Sequence, residues 1–385
     1  MLNFARSRVD KTVGFALILT ARVFAQSDHH SSRYASMVDR EARSLFAANH
    51  GQVGLSVGLF KDGKTAYFNY GKVTRGNRSR PTSHTLYRIA SITKIFTSNL
   101  LAQAVTEHKL RLEDDIRKYM KGSYPNLEFE GHPIQLQYLT NHRSGLPFLL
   151  PDKPELMPDF KGSAMSWSQR VAKAWSSYSR EDFYRDLSRV KLAAIPNTRS
   201  SYSNAAPQLL GYIMEAVYGK SFERLVREKI TGPLGMPDTT LSLSPGQANR
   251  LAQGYDEGGH VIPPPPDFYG GSGAIKSTAA DMMKFLQWQI AEKSQSVKLS
   301  HNPVFTVGDY SAGLNWQMMQ RNGRRLIWQS GTFPGFQSLI ILEPELHVGL
   351  VLLSNQQDQG SHGNYLQDMA NKILKSLDPR TILLP

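Results

Sequence analysis

Hydrophobic and polar residues alternate near both ends of this chain. Residues 53–59 place valine or leucine at every second position, which predicts a half-buried strand. An Asp-Gly turn at 62–63 leads into a second predicted strand over 65–70. Towards the other end, four strand-like segments, with an Asn-Gly turn at 322–323 between the first two, predict an antiparallel meander: 316–320, 325–330, 336–342 and 347–353. Helices are expected over 36–48 and, closing the chain, over 361–377.

The middle of the chain has helical periodicity instead. Helices are predicted over 91–108, 205–218, 222–230 and 278–290. The segments 124–133, 147–162 and 254–269 carry glycine and proline without periodicity, so we expect loops there. Strands supplied by both ends of a chain pair most simply in one sheet. The pattern therefore predicts an α/β (α+β) fold, an antiparallel sheet flanked by helices with a helical subdomain.

The predicted elements fit one domain over residues 26–380. Its sheet would come from about 50–72 and 314–355, and its helical middle from about 91–292.

The first 25 residues have the pattern of a secretory signal peptide, with basic residues at 6, 8 and 11, an apolar run over 13–20 and small residues before position 26. That run is too short to span a bilayer, and no later stretch approaches the roughly 20 consecutive apolar residues that a spanning helix needs. We therefore expect export to the periplasm or the medium, and no transmembrane segment.

The composition of the chain excludes several kinds of site and partner. The 385 residues include no cysteine, which excludes disulfides, a thiolate nucleophile and cysteine-based metal sites. The formal net charge is +13, and +10 without residues 1–25, which favours encounter with anionic surfaces but is also typical of an ordinary solvated surface. The chain has no compact basic and aromatic module, so nucleic acid is not an expected partner. The histidines show no ligand spacing, so no metal is expected.

Ser91 and Lys94 lie one helical turn apart at the start of a predicted helix. The ordinary interpretation is a helix N-cap, but a capping box would place Glu or Gln at position 94. A lysine there opposes the helix dipole, and such local conflicts are frequent at functional sites. In the catalytic interpretation Lys94 is the base for a Ser91 nucleophile. The same spacing at 188–191 falls inside another predicted helix without companion motifs, which favours a structural role.

Tyr202 and Asn204 form a second candidate pair. Tyr202 can present its phenol to the nucleophile, and Asn204 can hydrogen-bond a substrate amide. The alternative is that Asn204 is the N-cap of the helix over 205–218. The Tyr-X-Asn pattern also occurs at 67–69, in a predicted strand, and at 124–126, where a proline indicates a turn.

A third motif consists of Gln329, Ser330 and Gly331 at the end of a predicted strand. A strand beside the nucleophile can bind extended substrate along its edge, and the N–H of Thr332 can complete an oxyanion hole. The alternative is an ordinary strand end before a Gly/Pro turn.

Together and in this order, the three motifs resemble those of the serine β-lactamase and penicillin-binding-protein superfamily, in its class C-like branch. The likeness covers most of residues 50–355, and further segments resemble that branch: 85–90, 139–147, 233–239 and 273–278. The layout is similar to AmpH-type D-alanyl-D-alanine carboxypeptidase/endopeptidases. The resemblance implies a β-lactamase/transpeptidase-like fold and a β-lactamase-related serine hydrolase domain.

The resemblance also implies residue roles. Ser91 would be the nucleophile, Lys94 and Tyr202 the acid/base pair, and Asn204 a substrate-orienting residue. It implies a covalent acyl-enzyme, with no metal and no cofactor. Of the other candidates, His142 is interpreted as a structural histidine in a helix-to-loop turn. The Gly-rich segment 270–274 lacks the final glycine and flanking elements of a nucleophile elbow.

Gln329 departs from the family pattern, which usually has Lys or His at this position. A neutral hydrogen bond contributes about 0.5–1.5 kcal/mol, against roughly 1.5–3 kcal/mol for a charge-assisted one. The glutamine therefore favours endopeptidase or esterase action over strict carboxypeptidase action or efficient penicillin hydrolysis. Arg143, Arg324 and Arg325 are the residues considered for restoring the charge.

The sequence thus predicts an exported serine hydrolase acting on D-alanyl-D-alanine-type peptides of peptidoglycan, or on small amides and esters. β-Lactams are expected as substrates or inhibitors. One alternative is a class C-like β-lactamase or a carboxylesterase on the same scaffold. A second is a penicillin-binding sensor with little turnover, which the glutamine at 329 motivates.

Overall fold

The computed structural model describes residues 34–48, 52–256, 258–263, 266–357 and 364–385. The predicted signal segment, residues 1–25, lies outside the described residues. The strands are β1 (Gly54–Lys61), β2 (Lys64–Gly71), β3 (Leu86–Arg88), β4 (Glu128–Phe129), β5 (His132–Pro133), β6 (Lys276–Thr278), β7 (Phe305–Val307), β8 (Tyr310–Ala312), β9 (Gln317–Arg321), β10 (Arg324–Phe333), β11 (Phe336–Glu343) and β12 (Val348–Ser354).

The α-helices are α1 (34–48), α2 (Thr93–Thr106), α3 (Trp167–Trp175), α4 (Arg180–Leu187), α5 (Ala205–Tyr218), α6 (Phe222–Val226), α7 (Pro245–Ala248), α8 (Gly270–Gly273), α9 (Ala279–Ala291), α10 (Gln295–Ser300) and α11 (Tyr365–Leu377). A 3₁₀ turn, Ala90–Ile92, leads into α2. None of the described helices combines the length and the apolarity that a bilayer crossing requires.

Both ends of the chain contribute to one antiparallel sheet, as the alternation predicts. Its order is β2-β1-β12-β11-β10-β9-β8-β7 within the described residues. The register places Leu55 opposite Ser354 and Gly331 opposite Ser338. The sequence pattern did not predict β7 and β8, because three-residue strands are too short to show a period of two.

The sheet has a hydrophobic core on each face. Along β11, Leu339 and Ile341 pack with α1 and α11, whereas Ile340 and Leu342 belong to the larger core with α2, α5 and α9. Successive side chains of a strand point to opposite faces, so both faces of this strand are buried. The fold is therefore a central sheet flanked by helices, with α3 to α6 extending the larger core into the predicted helical subdomain.

The structure corrects several predicted boundaries. Residues 188–191 are not helical, because α4 ends at Leu187 and Ser188 is its C-cap. The segment 124–133 is not a plain loop, since it contains a 3₁₀ turn and the short hairpin β4–β5. The predicted helix over 222–230 changes to a π turn after Val226. The closing helix begins at Tyr365, and residues 358–363 lie outside the described residues.

Candidate active site

Ser91 does not cap a helix. It lies in the 3₁₀ turn before α2, and no side chain caps the start of either element. The preceding residue, Ala90, has φ = 50°, a left-handed conformation that is costly for a residue with a Cβ. The turn orients the Ser91 hydroxyl towards two polar groups, the amine of Lys94 and the phenol of Tyr202.

Lys94 is fully buried at the N-terminal end of α2. Its Nζ donates to Ser91 Oγ at 2.7 Å, to Asn204 Oδ1 at 2.8 Å and to the carbonyl oxygen of Ser272 at 2.9 Å. Burial lowers the pKa of the Lys94 amine, and the nearby Tyr202 phenol opposes part of that effect. A lowered pKa favours the neutral amine, which is the form that accepts a proton from serine.

Tyr202 completes this cluster from the other side. Its phenol oxygen lies 2.8 Å from Ser91 Oγ, and its side chain is 45% exposed to the cavity and solvent. The ring packs against those of His142, at 4.3 Å between centroids, and Phe148, at 6.0 Å. The next residue, Ser203, donates a hydrogen bond from its hydroxyl to the carbonyl oxygen of Pro147, beside Phe148. The phenol is thus held by packing while its hydroxyl remains accessible.

Asn204 occupies the N-cap position of α5, but its side chain does not cap the helix. Its Oδ1 accepts from Lys94 instead, and it also lines the cavity next to Ser91. The capping alternative is therefore wrong. Ser203 caps α5 in its place, accepting from the N–H of Ala206.

The end of β10 runs past Ser91. A Cβ built on Gly331 would lie 2.7 Å from the backbone nitrogen of Ser91, from the carbonyl oxygen of Ile89 and from Ser338 Oγ. Only glycine permits this approach. Ser330 and Thr332, on either side, both line the cavity next to Ser91.

Gln329 is held inside the fold. Its side chain is only 6% exposed, and its Nε2 donates to the carbonyl oxygen of Asn315 at 2.8 Å. Its Oε1 accepts from the Ser330 N–H at 3.1 Å and from Gln317 Nε2 at 3.3 Å. Asn315 in turn donates to Ser98 Oγ on α2. The glutamine therefore connects β10 to the helix that carries Lys94.

The arginines considered as substitutes for the missing charge are engaged elsewhere. Arg143 donates to Asn197, and its guanidinium carbon lies 4.0 Å from the Phe305 ring centroid. Arg325 forms ion pairs with Glu292 and Glu345. Arg324 is at the start of β10, at the opposite end from the nucleophile.

Sequence reasoning missed the contribution of three neighbours. The Gly-rich segment 270–274, set aside as a poor nucleophile elbow, forms α8 and supplies the Ser272 carbonyl to Lys94. Asn315 gave no signal, because its role depends on a contact with α2 from 217 residues away. His142, at φ = 60°, accepts the Ser203 N–H through Nδ1 and packs on Tyr202. Burial, aided by the charge of Lys94, lowers the His142 pKa to about 3.

These residues border a cavity of about 840 Å³. Aromatic rings of Phe148, Trp167, Phe305, Tyr310 and Trp316 form part of its wall, between carboxamide side chains. Within the described residues, no group of three or more acidic or histidine side chains is arranged to hold a metal ion. The geometry suits nucleophilic attack by serine on a carbonyl group, with two proton carriers in contact with the hydroxyl.

Comparisons with known proteins agree with this chemistry. The family model described as beta-lactamase matches residues 36–371. The D-alanyl-D-alanine-carboxypeptidase/endopeptidase AmpH of Escherichia coli K12 is 29% identical over 367 residues, covering 89% of this chain and 90% of AmpH. A beta-lactamase of Pseudomonas fluorescens is 26% identical over 345 residues, covering 79% of this chain and 88% of that protein. The solved beta-lactamase/D-alanine carboxypeptidase of Yersinia pestis superimposes with a TM-score of 0.74 at 26% identity, covering 90% of this chain and 99% of that one.

Proposed function

Because this chain belongs to the beta-lactamase family and is a serine hydrolase, we propose that it cleaves D-alanyl-D-alanine-type peptides of the cell wall through an acyl-enzyme on Ser91. The observation that carries the proposal is the convergence of three groups on one oxygen. The Lys94 amine and the Tyr202 phenol lie 2.7 and 2.8 Å from Ser91 Oγ. Both distances are within the range for direct proton transfer.

In the proposed acylation step, Ser91 Oγ forms a bond to the scissile carbonyl carbon. Its proton passes to the Lys94 amine in its neutral form, which the lowered pKa favours. The carbon–nitrogen bond then breaks, and the leaving amine takes a proton through the Tyr202 hydroxyl, which is exposed to the cavity. The backbone N–H groups of Ser91 and Thr332 would bind the carbonyl oxygen, consistent with the close approach of β10 to the nucleophile.

Deacylation reverses these roles. A water molecule entering the cavity gives a proton to the Lys94–Tyr202 pair while its oxygen bonds to the acyl carbon. The bond to Ser91 Oγ breaks, and the serine recovers its proton. Asn204 lies beside Lys94 and lines the cavity, so we assign it a role in orienting the substrate amide.

The decisive test replaces Ser91 with alanine. We expect S91A to lose both hydrolysis of a D-Ala-D-Ala peptide and covalent labelling by a fluorescent penicillin. Ser188→Ala is the matched control, because it alters the other serine of a Ser-X-X-Lys pattern, at the end of α4. Turnover retained by S91A would refute the mechanism.

A β-lactamase on the same scaffold is the second candidate, favoured by relatives such as the beta-lactamase of Pseudomonas fluorescens. A carboxylesterase stays a prediction from the sequence. Relative rates on a D-Ala-D-Ala peptide, a chromogenic cephalosporin and a short-chain nitrophenyl ester distinguish the three activities. A sensor with little turnover is disfavoured, since a binding protein does not require both proton carriers within hydrogen-bonding distance of the serine.

We further propose that the protein acts outside the cytoplasm, in the periplasm or the medium. The support is the signal-peptide pattern of residues 1–25 and the absence of cysteine. N-terminal sequencing of protein from the extracytoplasmic fraction tests this, with a mature start near residue 26 as the expected result. Full-length protein confined to the cytoplasm would contradict it.

A further inference from the structure

Part of the wall of the cavity beside Ser91 is a loop that lies apart from the proton carriers. Residues 153–165, called the flap below, are all described and contain one 3₁₀ turn, Pro154–Leu156, but no α-helix or strand. Pro158, Asp159 and Lys161 of the flap line the cavity, and so does Trp167, the first residue of α3. A long loop of this kind that walls a cavity is usually functional.

Arg170 of α3 binds the backbone of the flap at three points. Its guanidinium is buried, since the residue is only 8% exposed. Nε donates to the carbonyl oxygen of Glu155 at 2.7 Å, and Nη2 donates to that of Met157 at 3.0 Å. Nη1 donates to the carbonyl oxygen of Met165 at 2.6 Å. One side chain therefore joins the beginning and the end of the flap.

The acceptors of Arg170 within the described residues are all neutral carbonyl groups. A buried cation costs free energy unless its N–H groups are hydrogen-bonded. Moving the flap away would leave the guanidinium buried without these acceptors. The Phe160 ring also lies over the guanidinium, with its centroid 5.6 Å from Cζ. The flap is therefore held in the one position that satisfies Arg170.

Trp167 provides a second connection, because its Nε1 donates to the carbonyl oxygen of Leu156 at 3.0 Å. Trp167 and Arg170 are the two described residues that donate hydrogen bonds to the flap from outside it. With its N–H engaged, the indole offers the cavity only apolar ring surface. The hydroxyl of Ser91 has its hydrogen bonds with Lys94 and Tyr202 instead. The flap is thus placed to bind substrate and not to transfer protons.

We infer that the flap and Trp167 form a subsite for an apolar or aromatic group of the substrate, remote from the reacting carbonyl. Arg170 is the positioning residue that holds this subsite in place. The inference rests on the proposed nucleophile, Ser91, but not on a cell-wall substrate. It accounts for why a cation is buried against neutral carbonyl groups beside the cavity.

The test uses two pairs of substrates whose members differ only by a terminal phenyl group. On the acyl side, the pair is p-nitrophenyl butyrate and p-nitrophenyl 4-phenylbutyrate. On the leaving-group side, it is the S-propyl and S-(3-phenylpropyl) thioesters of butyric acid, with the released thiol measured by a thiol reagent. The chain has no cysteine to interfere with that reagent. In at least one pair, the wild type should favour the phenyl member in kcat/KM by about tenfold or more.

Arg170→Met should reduce that preference to about twofold or less, since the flap is no longer held against Trp167. Arg170→Lys should give an intermediate ratio, because its donors all lie on a single nitrogen. Trp167→Ala should lose the preference as well. The loss should appear in the dissociation constant of the noncovalent complex, with the acylation rate constant unchanged. Each ratio is measured within one variant, so it does not depend on how much protein is folded.

Arg117→Met is the matched control. Arg117 is also a partly buried arginine, paired with Asp115 and Glu128, but it does not line the cavity. Its loss should leave the wild-type preference intact. No phenyl preference of the wild type in either pair, a preference retained by Arg170→Met, or one lost equally in Arg117→Met would each overturn the inference.

A binding measurement separates this inference from the proposed function. If no ester or thioester acylates Ser91, the proposed function fails, and the subsite is tested with the neutral fluorescent probe N-phenyl-1-naphthylamine. Its affinity should fall about fivefold or more in Arg170→Met and in Trp167→Ala, and stay unchanged in Arg117→Met. Equal affinity in all four proteins would overturn the inference.

Discussion

Lys94 Nζ lies 2.7 Å from Ser91 Oγ at a position where the lysine side chain is fully buried. Burial strips water from the amine and lowers its pKa from the ordinary 10.5. The contact therefore places the proposed nucleophile beside an amine that becomes neutral at lower pH than a surface lysine does. Burial thus disfavours the same charge that is costly at the start of a helix.

The first prediction concerns the pH dependence of acylation. In the proposed mechanism, the neutral Lys94 amine is the base. Its fraction grows as the pH rises, so the acylation rate should increase with pH and level off below pH 10.5. Lys94→Arg keeps a cation that does not deprotonate, so its rate should be low at every pH. Stopped-flow acylation by a chromogenic ester measures both profiles. Lys191→Arg, in the second Ser-X-X-Lys pattern, should retain the wild-type pH profile. An acylation rate that rises with pH in Lys94→Arg would contradict the assignment of Lys94 as the base.

The second prediction concerns Tyr202→Phe. The ring contacts with His142 and Phe148 remain, but the hydroxyl 2.8 Å from Ser91 Oγ is lost. We expect kcat to fall by about 10² to 10⁴, the usual contribution of a positioned acid or base. Thermal unfolding should be nearly unchanged. Tyr67→Phe is the matched control, because Tyr67 is 38% exposed and belongs to the Tyr-X-Asn pattern of β2. Equal losses of kcat in the two variants would argue against a chemical role for Tyr202.

The third prediction concerns Gly331→Ala. Because the new Cβ would lie 2.7 Å from three atoms around Ser91, the nucleophile turn or β10 must shift. A displacement of about 1 Å at a reacting centre can reduce the rate about 100-fold, and we expect a loss of at least that size in kcat/KM. Gly246→Ala, where an added Cβ meets no atom within 4 Å, should keep full activity. An active Gly331→Ala enzyme would mean that β10 does not constrain the site.

The fourth prediction concerns Glu343, a fully buried carboxyl group at the end of β11. Burial raises its pKa from 4.5 to about 7. Between these values the folded state keeps a proton that the unfolded state releases, so this group's stabilisation is complete below pH 4.5 and is lost as the pH rises through 7. At about 1.4 kcal/mol per pH unit, the loss is at most about 3.5 kcal/mol.

Urea unfolding of the wild type and Glu343→Gln at pH 5.5 and 8.5 measures this effect. The glutamine cannot titrate, so the difference in unfolding free energy between the two proteins should move in favour of the variant at the higher pH. Glu113→Gln makes the same substitution at an exposed carboxyl group and serves as the control. A pH-independent difference for Glu343→Gln would rule out a raised pKa.

Local sequence patterns were sufficient to predict the main strands and helices of the fold. Strand-like segments and the turns between them predicted β1, β2 and β9 to β12. A helical period gave α5 at its observed bounds and α2 within a few residues. The short β7 and β8, the π turn after α6 and the end of α4 depend on neighbours, so no local pattern reported them.

By itself, the sequence determined the antiparallel sheet with its flanking helices and the identity of Ser91, Lys94 and Tyr202 as candidates, since one-turn spacing on a helix already makes Ser91 and Lys94 neighbours. Only the tertiary structure decided that the Tyr202 hydroxyl reaches Ser91 Oγ from 111 residues away. It also decided that the Asn204 side chain accepts a hydrogen bond from Lys94 instead of capping α5. The hydrogen bond from Gln329 to the Asn315 carbonyl is a third contact of this kind. These contacts join distant segments through burial and hydrogen bonding, which spacing along the chain does not specify.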